Sequence, residues 1–255
     1  MGRKETAFFA VALAAWFAAG GLRTMASTVG VSPVNVTLSR DIASTMLSIS
    51  NQGRENVSFS LATYAWSQGP SGKIELAPTS DIIFFPAFLS IGPGESRSVR
   101  IGTEMQNVAQ EKSYRIILDE LPPPRTGEAS HAGMQVRVLS RISIPIFIEP
   151  EEKHVQMQLD DAATRNGALA FQVHNTGSVH VAPDVTVVGS DAAGGSLFTL
   201  GPQHVWYILA QGTRPIDVPL PKATCAKLRS LVITARSDAT VVKKTVLTPS
   251  GACAP

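Results

Sequence analysis

Short runs of β-branched and apolar residues, separated by turn residues, recur along the chain from Val29 onward. Seven such runs lie between residues 34 and 148, and turns that contain glycine or proline, such as 51–53, 69–72 and 92–94, separate them. Glycine supplies positive φ and proline presets the first turn position, so these turns reverse the chain. A spacing of about seven short strands over about 120 residues predicts an immunoglobulin-like β-sandwich.

A polar segment that contains proline, at 149–153, interrupts this pattern as linkers between domains usually do. Beyond it, β-type runs resume and continue to residue 247, and no stretch of useful length outside the first 26 residues has the period of a helix. We therefore predict an all-β chain of two immunoglobulin-like β-sandwich domains. The N-terminal domain is expected over 27–149 and the C-terminal domain over 150–255.

The first 26 residues have the pattern of a signal peptide. Arg3 and Lys4 provide a positive start, an uncharged apolar run covers 6–22, and the segment that ends at Ala26 offers small residues for cleavage. An uncleaved membrane anchor is the alternative, because about 17 apolar residues can just span a bilayer. We favour cleavage near Ala26, because Ala and Gly dominate the run and no basic cluster follows it. The chain is therefore expected to be exported.

Charge and motifs argue against several classes of function. Without residues 1–26 the chain carries equal numbers of acidic and basic side chains, which disfavours nucleic acid as a partner because phosphate neutralisation drives that binding. The sequence lacks G-x-S-x-G, G-x-x-x-x-G-K-[ST] and H-E-x-x-H, so no enzyme activity, cofactor or small-molecule substrate is expected. His174 and His180 flank the turn at 175–177 and could bind a metal, but we interpret them as surface residues.

The two cysteines, Cys225 and Cys253, lie near the end of the chain. In an exported protein such a pair forms a disulfide more often than a metal site, which needs further ligands at regular spacing. We predict a disulfide between Cys225 and Cys253 that ties the last residues to the C-terminal domain. Two unrelated thiols are the alternative.

The longest predicted strand runs from Met134 to Ile148 and follows a loop rich in Pro and Gly. Alternate residues form one apolar face, and at ~3.3 Å per residue the strand would span about 50 Å, more than twice a usual strand. Its first half is expected to extend beyond the core of its domain, where it could be offered to a partner by β-augmentation. A long central strand of the sandwich is the alternative, and the pattern alone favours it.

Several segments, in order along the chain, resemble the motifs of a known family. They are Ser48–Asn51, Gly94–Ile101, Ser113–Pro122 and Ser143–Phe147. With these motifs, residues 29–248 resemble the PapD-like periplasmic chaperones of chaperone–usher pilus assembly, which have sandwich folds and act by strand addition. The Tyr-Arg and Ser-Ile-Pro-Ile-Phe variants are more similar to the archaic, spore-coat-protein-U-type branch than to the P-pilus branch.

The resemblance implies two immunoglobulin-like domains in a boomerang arrangement that hold an incomplete pilin subunit in the periplasm until an outer-membrane usher takes it. The donor strand that binds the pilin maps to Met134, Val136 and Val138, with Ser140 at its edge. No cofactor is needed for this activity. Three inserted apolar side chains at ~1.5–3 kcal/mol each would stabilise the complex before ordering costs.

The resemblance also implies a salt bridge that fixes the angle between the domains. Arg100 and Glu120 match two positions of this network, and Asp238, in the turn at 237–239, is the expected third member from the C-terminal domain. Three surface charges, which usually contribute little to stability, are the alternative.

The basic residues that bind the carboxyl terminus of the pilin in this family are missing at their usual positions. Asn35 stands where an arginine is expected, and Ser143 or Pro145 stands where a lysine is expected. Arg141, beside the donor strand, is the candidate substitute, with a solvated surface charge as the alternative.

Other classes of protein share the sandwich fold, and fold alone does not identify function. A secreted immunoglobulin-like adhesion or carbohydrate-binding protein is the main alternative, and a periplasmic metal-handling protein is a weaker one. Bound pilin would favour the chaperone, exposed aromatic platforms the carbohydrate-binding protein, and bound metal the third class.

Overall fold

The computed structural model describes residues 29–105, 107–123 and 138–248, which form two β-sandwiches. The strands of the first sandwich are β1 (Val29–Ser32), β2 (Val36–Leu38), β3 (Ser44–Asn51), β4 (Val57–Gln68), β5 (Ile74–Pro78), β6 (Ile83–Phe85), β7 (Phe88–Ile91), β8 (Ser96–Gly102), β9 (Lys112–Glu120) and β10 (Arg141–Ile148). The strands of the second are β11 (Met157–Arg165), β12 (Ala168–Asn175), β13 (Asp184–Ser190), β14 (Ser196–His204), β15 (Thr213–Pro219), β16 (Ser230–Ser237) and β17 (Thr240–Leu247), with a 3₁₀ helix at Lys222–Lys227.

The first sandwich packs two sheets face to face. One sheet has the strand order β1-β3-β8-β6, and the other has the order β2-β10-β9-β4-β5, with β7 also paired to β4. The chain crosses from the first sheet to the second between β1 and β2, and β2 then pairs with β10 in parallel. The other strand pairs of this sandwich are antiparallel, including β10 with β9 and β9 with β4.

The core of the first sandwich follows from the period-2 alternation of its strands. On β9, Tyr114, Ile116 and Leu118 point inward, and on β10, Ile144 and Ile146 do the same. The intervening residues of these strands therefore point to the opposite side of the sheet, away from this core.

The second sandwich packs a sheet of order β11-β12-β15 against a sheet of order β14-β13-β16-β17. Leu169, Phe171 and Val173 of β12 lie in its core with Val187 of β13 and Ile233 of β16. No helix in the described part of the chain is long and apolar enough to cross a membrane.

Each sandwich contains a buried asparagine in an Asn-x-Gly turn. Asn51 Nδ2 donates to the carbonyl oxygens of Glu55 and Ile91, at 2.7 and 3.0 Å. Asn175 Nδ2 donates in the same way to three carbonyl oxygens, at 2.8 to 3.0 Å. In both turns the glycine N–H donates to the asparagine Oδ1 at 2.9 Å. These bonds satisfy backbone groups that would otherwise be buried without partners.

The segment between the sandwiches is fastened at both ends. Glu149 N donates to Leu38 O at 2.9 Å, which ties the start of the segment to the first sandwich. Ser178 N donates to His154 O at 2.8 Å, which ties its end to the second. A Cβ on Gly177 would lie 2.2 Å from His154 O, so this close approach requires glycine.

The prediction of an all-β chain with two β-sandwiches is confirmed. The predicted strand from Met134 to Ile148 differs from the structure, because β10 begins at Arg141 and residues 138–140 precede it outside any strand. Residues 134–137 lie outside the described residues. Within β10 the predicted apolar face is present, since Ile142, Ile144 and Ile146 pack in the core.

Candidate partner-binding face

The side of the β2-β10-β9-β4-β5 sheet that points away from the core is here called the outer face. Alternation along β9 and β10 places on it the residues between those of the core. The cross-strand pairs of the outer face on these two strands are Arg141 with Asp119, Ser143 with Ile117, Pro145 with Arg115 and Phe147 with Ser113. A row of polar and apolar side chains therefore runs from the start of β10 towards the second sandwich.

Arg115 is the most unusual residue of the outer face. It is only 6% exposed, and its Nη1 donates to Ser143 Oγ at 3.1 Å. Its guanidinium carbon lies 4.0 Å from the centre of the Trp66 ring, a cation–π contact. Its Nε and Nη2 are buried and have no hydrogen-bond partner among the described residues.

Burial lowers the pKa of the Arg115 guanidinium, and the nearby Tyr207 acts in the opposite direction. A buried cation with unused N–H groups is unfavourable unless an anion or other acceptor reaches it. A carboxylate suits such a site, because two of its oxygens can accept from two guanidinium N–H groups at once. The N–H groups that are unpaired among the described residues make Arg115 the candidate binding residue of the outer face.

Aromatic residues from both sandwiches surround Arg115. Trp66 and Phe147 of the first sandwich pack with Tyr207 and Leu209 of the second, and Trp66 and Leu209 are almost fully buried. The ring centres of Trp66 and Phe147 are 6.0 Å apart, and those of Phe147 and Tyr207 are 5.5 Å apart. Trp66 Nε1 is a further buried donor without a partner among the described residues.

Arg141, the predicted carboxylate anchor, lies at the opposite end of the row. Its Nε and Nη2 donate to the two carboxylate oxygens of Asp119, at 2.6 and 3.0 Å. The hydrogen bond and charge of Asp119 raise the pKa of Arg141. Both side chains are exposed, so the Arg141 guanidinium is in solvent and already bonded to its cross-strand neighbour.

Ser140 continues the pairing of β9 beyond the end of β10. Glu120 N donates to Ser140 O at 2.9 Å, and Ser140 N donates to Glu120 Oε2 at 3.0 Å. Val138, two residues earlier, is 81% exposed, and Leu139 is 43% exposed. Met134 and Val136, the other predicted donor residues, lie outside the described residues. The described part of the segment thus presents apolar side chains to solvent immediately before β10.

The structure does not bring Arg100, Glu120 and Asp238 together. Arg100 Nη2 donates to Ser44 Oγ at 2.9 Å on the β1-β3-β8-β6 sheet, whereas Glu120 ends β9 in the opposite sheet. Asp238 lies in the turn between β16 and β17 with a φ of 49°. Within the described ranges no ion pair joins these three residues, because they belong to different sheets. Cys225 lies on the 3₁₀ helix and Cys253 lies outside the described residues, so their disulfide stays a prediction.

Two residues of this candidate site were not predicted as such from the sequence. Arg115 could have been found, because it stands between the inward-facing Tyr114 and Ile116 in the middle of a strand. The interpretation of His180 as a surface residue is wrong, because its side chain is 24% exposed and packs between the sandwiches, against Phe147. The described residues contain no group of His, Cys, Asp and Glu that could hold a metal ion.

Comparisons with known proteins identify a family for the first sandwich. The family model described as pili and flagellar-assembly chaperone, PapD N-terminal domain, matches residues 28–154. No curated protein matches the chain in sequence.

Solved structures of several chaperones have the same fold. The chain is similar to the CsuC–CsuE chaperone–tip adhesion subunit pre-assembly complex from archaic Csu pili of Acinetobacter baumannii, at 18% identity and a TM-score of 0.58, over 86% of this chain and 97% of that one. It is also similar to a chain of the Salmonella enterica SafA pilin complex with the SafB chaperone, at 11% and 0.55, over 88% and 98%. A third similar structure is the Escherichia coli chaperone DraB, at 13% and 0.53, over 88% and 97%. Residues 28–154 therefore form a PapD N-terminal domain of the pili and flagellar-assembly chaperone family.

Proposed function

We propose that this chaperone binds pilin subunits in the periplasm by donor-strand complementation and delivers them to an outer-membrane usher. The family match supports the chaperone activity. Two of the similar structures are complexes of a chaperone with a pilus subunit, one of them from an archaic system, and the sequence motifs favour the same archaic branch. We also propose that residues 1–26 are a signal peptide removed on export and that Cys225 pairs with Cys253.

One observation carries this proposal most directly: the buried Arg115 with two N–H groups that no described residue accepts from. A partner chain that ends in a carboxylate would supply the missing acceptors. Arg115, with Ser143 beside it, takes the role that the sequence analysis gave to Arg141. Arg141 already has a carboxylate partner in Asp119 and lies in solvent, so a second carboxylate gains little there.

The donor strand is proposed to be Met134, Val136 and Val138, with Ser140 at its edge. The exposure of Val138 supports this assignment, because a valine that packs in no core of its own chain is available to a partner. The bonds between Ser140 and Glu120 support it too, because they hold the segment in line with β10. A pilin that lacks a strand would accept these side chains in its open groove.

The test compares Arg115→Met with Arg141→Met. Each variant is exported, purified from periplasmic extract, and assayed by mass spectrometry for the pilin subunits that copurify with it. Arg115→Met is expected to retain about a tenth or less of the wild-type subunit, because the partner carboxylate loses its buried cation. Arg141→Met is expected to retain nearly all of it.

Urea denaturation of the free variants controls for folding. Arg115→Met is expected to be as stable as the wild type or more stable by ~1–4 kcal/mol, because a desolvated charge is removed. A wild-type protein that captures no subunit would contradict the chaperone proposal. Equal capture by wild type and Arg115→Met would contradict the carboxylate site alone.

A further inference from the structure

A buried glutamate of the first sandwich is bound entirely by the second. The Glu111 side chain is fully buried, and its two carboxylate oxygens lie 2.9 and 2.8 Å from His180 Nδ1. Oε1 also accepts the backbone N–H of His180 at 3.1 Å, and Glu111 N donates to Ser178 O at 2.9 Å. A carboxylate removed from water is unfavourable without such partners, so this contact specifies where the second sandwich sits.

The His180 ring extends the contact into the aromatic cluster around Arg115. It stacks on Phe147 with ring centres 3.9 Å apart and planes 17° apart, and it meets Tyr207 edge-on at 5.0 Å. Tyr207 in turn lies 6.1 Å from Trp66, and Trp66 covers the Arg115 guanidinium at 4.0 Å. A continuous series of packed rings therefore connects the carboxylate of Glu111 with the cation of Arg115.

Gln68, at the end of β4, makes a second attachment to the second sandwich, at residues 207–209. Its Nε2 donates to Tyr207 O at 2.7 Å, and its Oε1 accepts Leu209 N–H at 3.0 Å. The side-chain amide thus pairs with the backbone as a neighbouring strand residue would. Its effect is to fix Tyr207 and Leu209, the two residues that the second sandwich contributes to the cluster.

We propose that Glu111 and His180 form a latch between the domains that positions Trp66 and Arg115 and so sets the affinity of the cleft for a partner's carboxylate. The carboxylate part of this proposal rests on the proposed function, whereas the positioning of Arg115 does not. Glu111, His180 and Gln68 are positioning residues, because they act through the aromatic cluster. These three residues connect the two sandwiches, whereas the predicted network of Arg100, Glu120 and Asp238 does not.

The first experiment measures the position of Arg115 without any partner. Its Nε–H resonance is identified by its loss in Arg115→Met, and the Trp66 ring shifts this resonance from its value in an exposed arginine. Glu111→Gln and His180→Phe are expected to move the resonance towards the exposed value. Glu152→Gln is the matched control, because Glu152 pairs with His154 at 3.9 Å with both side chains exposed. It should leave the resonance in place.

The second experiment measures affinity for one synthetic peptide in two forms. The peptide has the C-terminal sequence of the subunit that copurifies with the wild type, with either a free carboxylate or an amide at its end. The latch variants are expected to lower the preference for the carboxylate form by about fivefold, within the range for coupled residues. Binding of the amide form should be almost unchanged.

His180→Phe retains the stacked ring, and circular dichroism verifies that each variant is folded. An Arg115 resonance that stays in place in both latch variants would overturn the proposal. So would an equal loss of affinity for the two peptide forms. A wild-type protein that does not distinguish the peptides would overturn the carboxylate site of the proposed function, while the resonance would still decide whether the latch positions Arg115.

Discussion

Arg115 and Arg141 lie on the same outer face, and Asp119, the cross-strand partner of Arg141, is four residues from Arg115 along β9. The two arginines differ in burial and in hydrogen bonding. Arg141 is exposed and makes two bonds to Asp119, whereas Arg115 is buried and has two N–H groups without an acceptor among the described residues. An exposed pair contributes about 0–1 kcal/mol, so a new ligand gains little by competing for it. A desolvated cation with open donors gains much more from an incoming anion. A buried N–H donor without an acceptor therefore indicates a binding site better than an exposed charge does.

The largest expected effect is on the capture of pilin, and it extends the comparison of buried and exposed positions to apolar residues. Val136→Ser with Val138→Ser should nearly abolish capture of pilin, because the proposed donor strand inserts these side chains into the pilin. The free protein should lose less than ~0.5 kcal/mol of unfolding free energy, as substitutions outside a core usually do. Urea denaturation and copurification from periplasmic extract measure the two effects.

Ile144→Ser is the control for the donor-strand variants, because Ile144 is buried on the same strand. It should destabilise the free protein by about 3 kcal/mol or more. A similar loss of stability in the double valine variant would show that those residues belong to the chaperone's own core, and unimpaired capture would show that they do not bind pilin.

Two neighbouring carboxylates at the end of β9 allow the same comparison of a buried and an exposed group, with a smaller expected effect. Glu120 is buried and accepts the Ser140 N–H, so Glu120→Ala should cost ~1–3 kcal/mol of unfolding free energy. Asp119→Ala removes only the exposed pair with Arg141 and should cost under about 1 kcal/mol. Chemical denaturation of the two variants at one pH compares them directly. Equal costs would contradict the distinction between buried and exposed partners.

A further small effect concerns a buried hydroxyl group whose hydrogen bond is already made. Tyr114, next to Arg115 but on the core side, donates to Asp81 Oδ2 at 2.9 Å, and burial together with this bond raises the pKa of its phenol. Tyr114→Phe should cost about 1 kcal/mol at neutral pH.

The raised pKa of Tyr114 also fixes the sign of the pH dependence. The folded protein holds the phenol proton more tightly than the unfolded chain, so the contribution is complete below the ordinary value of about 10 and is lost as pH rises above it. Stability measured between neutral and alkaline pH should therefore fall more steeply in the wild type than in Tyr114→Phe. Parallel curves would contradict the assignment.

The strands that could be predicted from the sequence are those whose residues alternate between apolar and polar. Strands with one buried face, such as β3, β4 and β12, have this pattern and were recognised. β5 was missed because each of its residues is exposed, so no alternation marks it. Residues 179–188 form one β-type run in the sequence, but the strand begins only at Asp184, after Pro183, which has no N–H to donate.

The candidate site was predictable only in part, because its parts meet across the chain. The apolar residues before β10 follow from local sequence, and the exposed Val138 agrees with that reading. The pairing of Glu111 with His180 spans residues far apart in sequence, and no local pattern indicates it. The network of Arg100 and Glu120 came from family resemblance, and strand order places those residues on opposite sheets.

The fastening of the connecting segment determines where the molecule can pivot. Glu149 moves with the first sandwich through Leu38, and His154 moves with the second through Ser178. Glu151 also pairs with Arg40 of the first sandwich, and the Glu152 carbonyl oxygen accepts from Ser178 Oγ of the second, so a hinge between the two bodies would lie between these two residues. Because this connection is so short, a small rotation of one sandwich relative to the other would displace the far end of each sandwich by a larger distance.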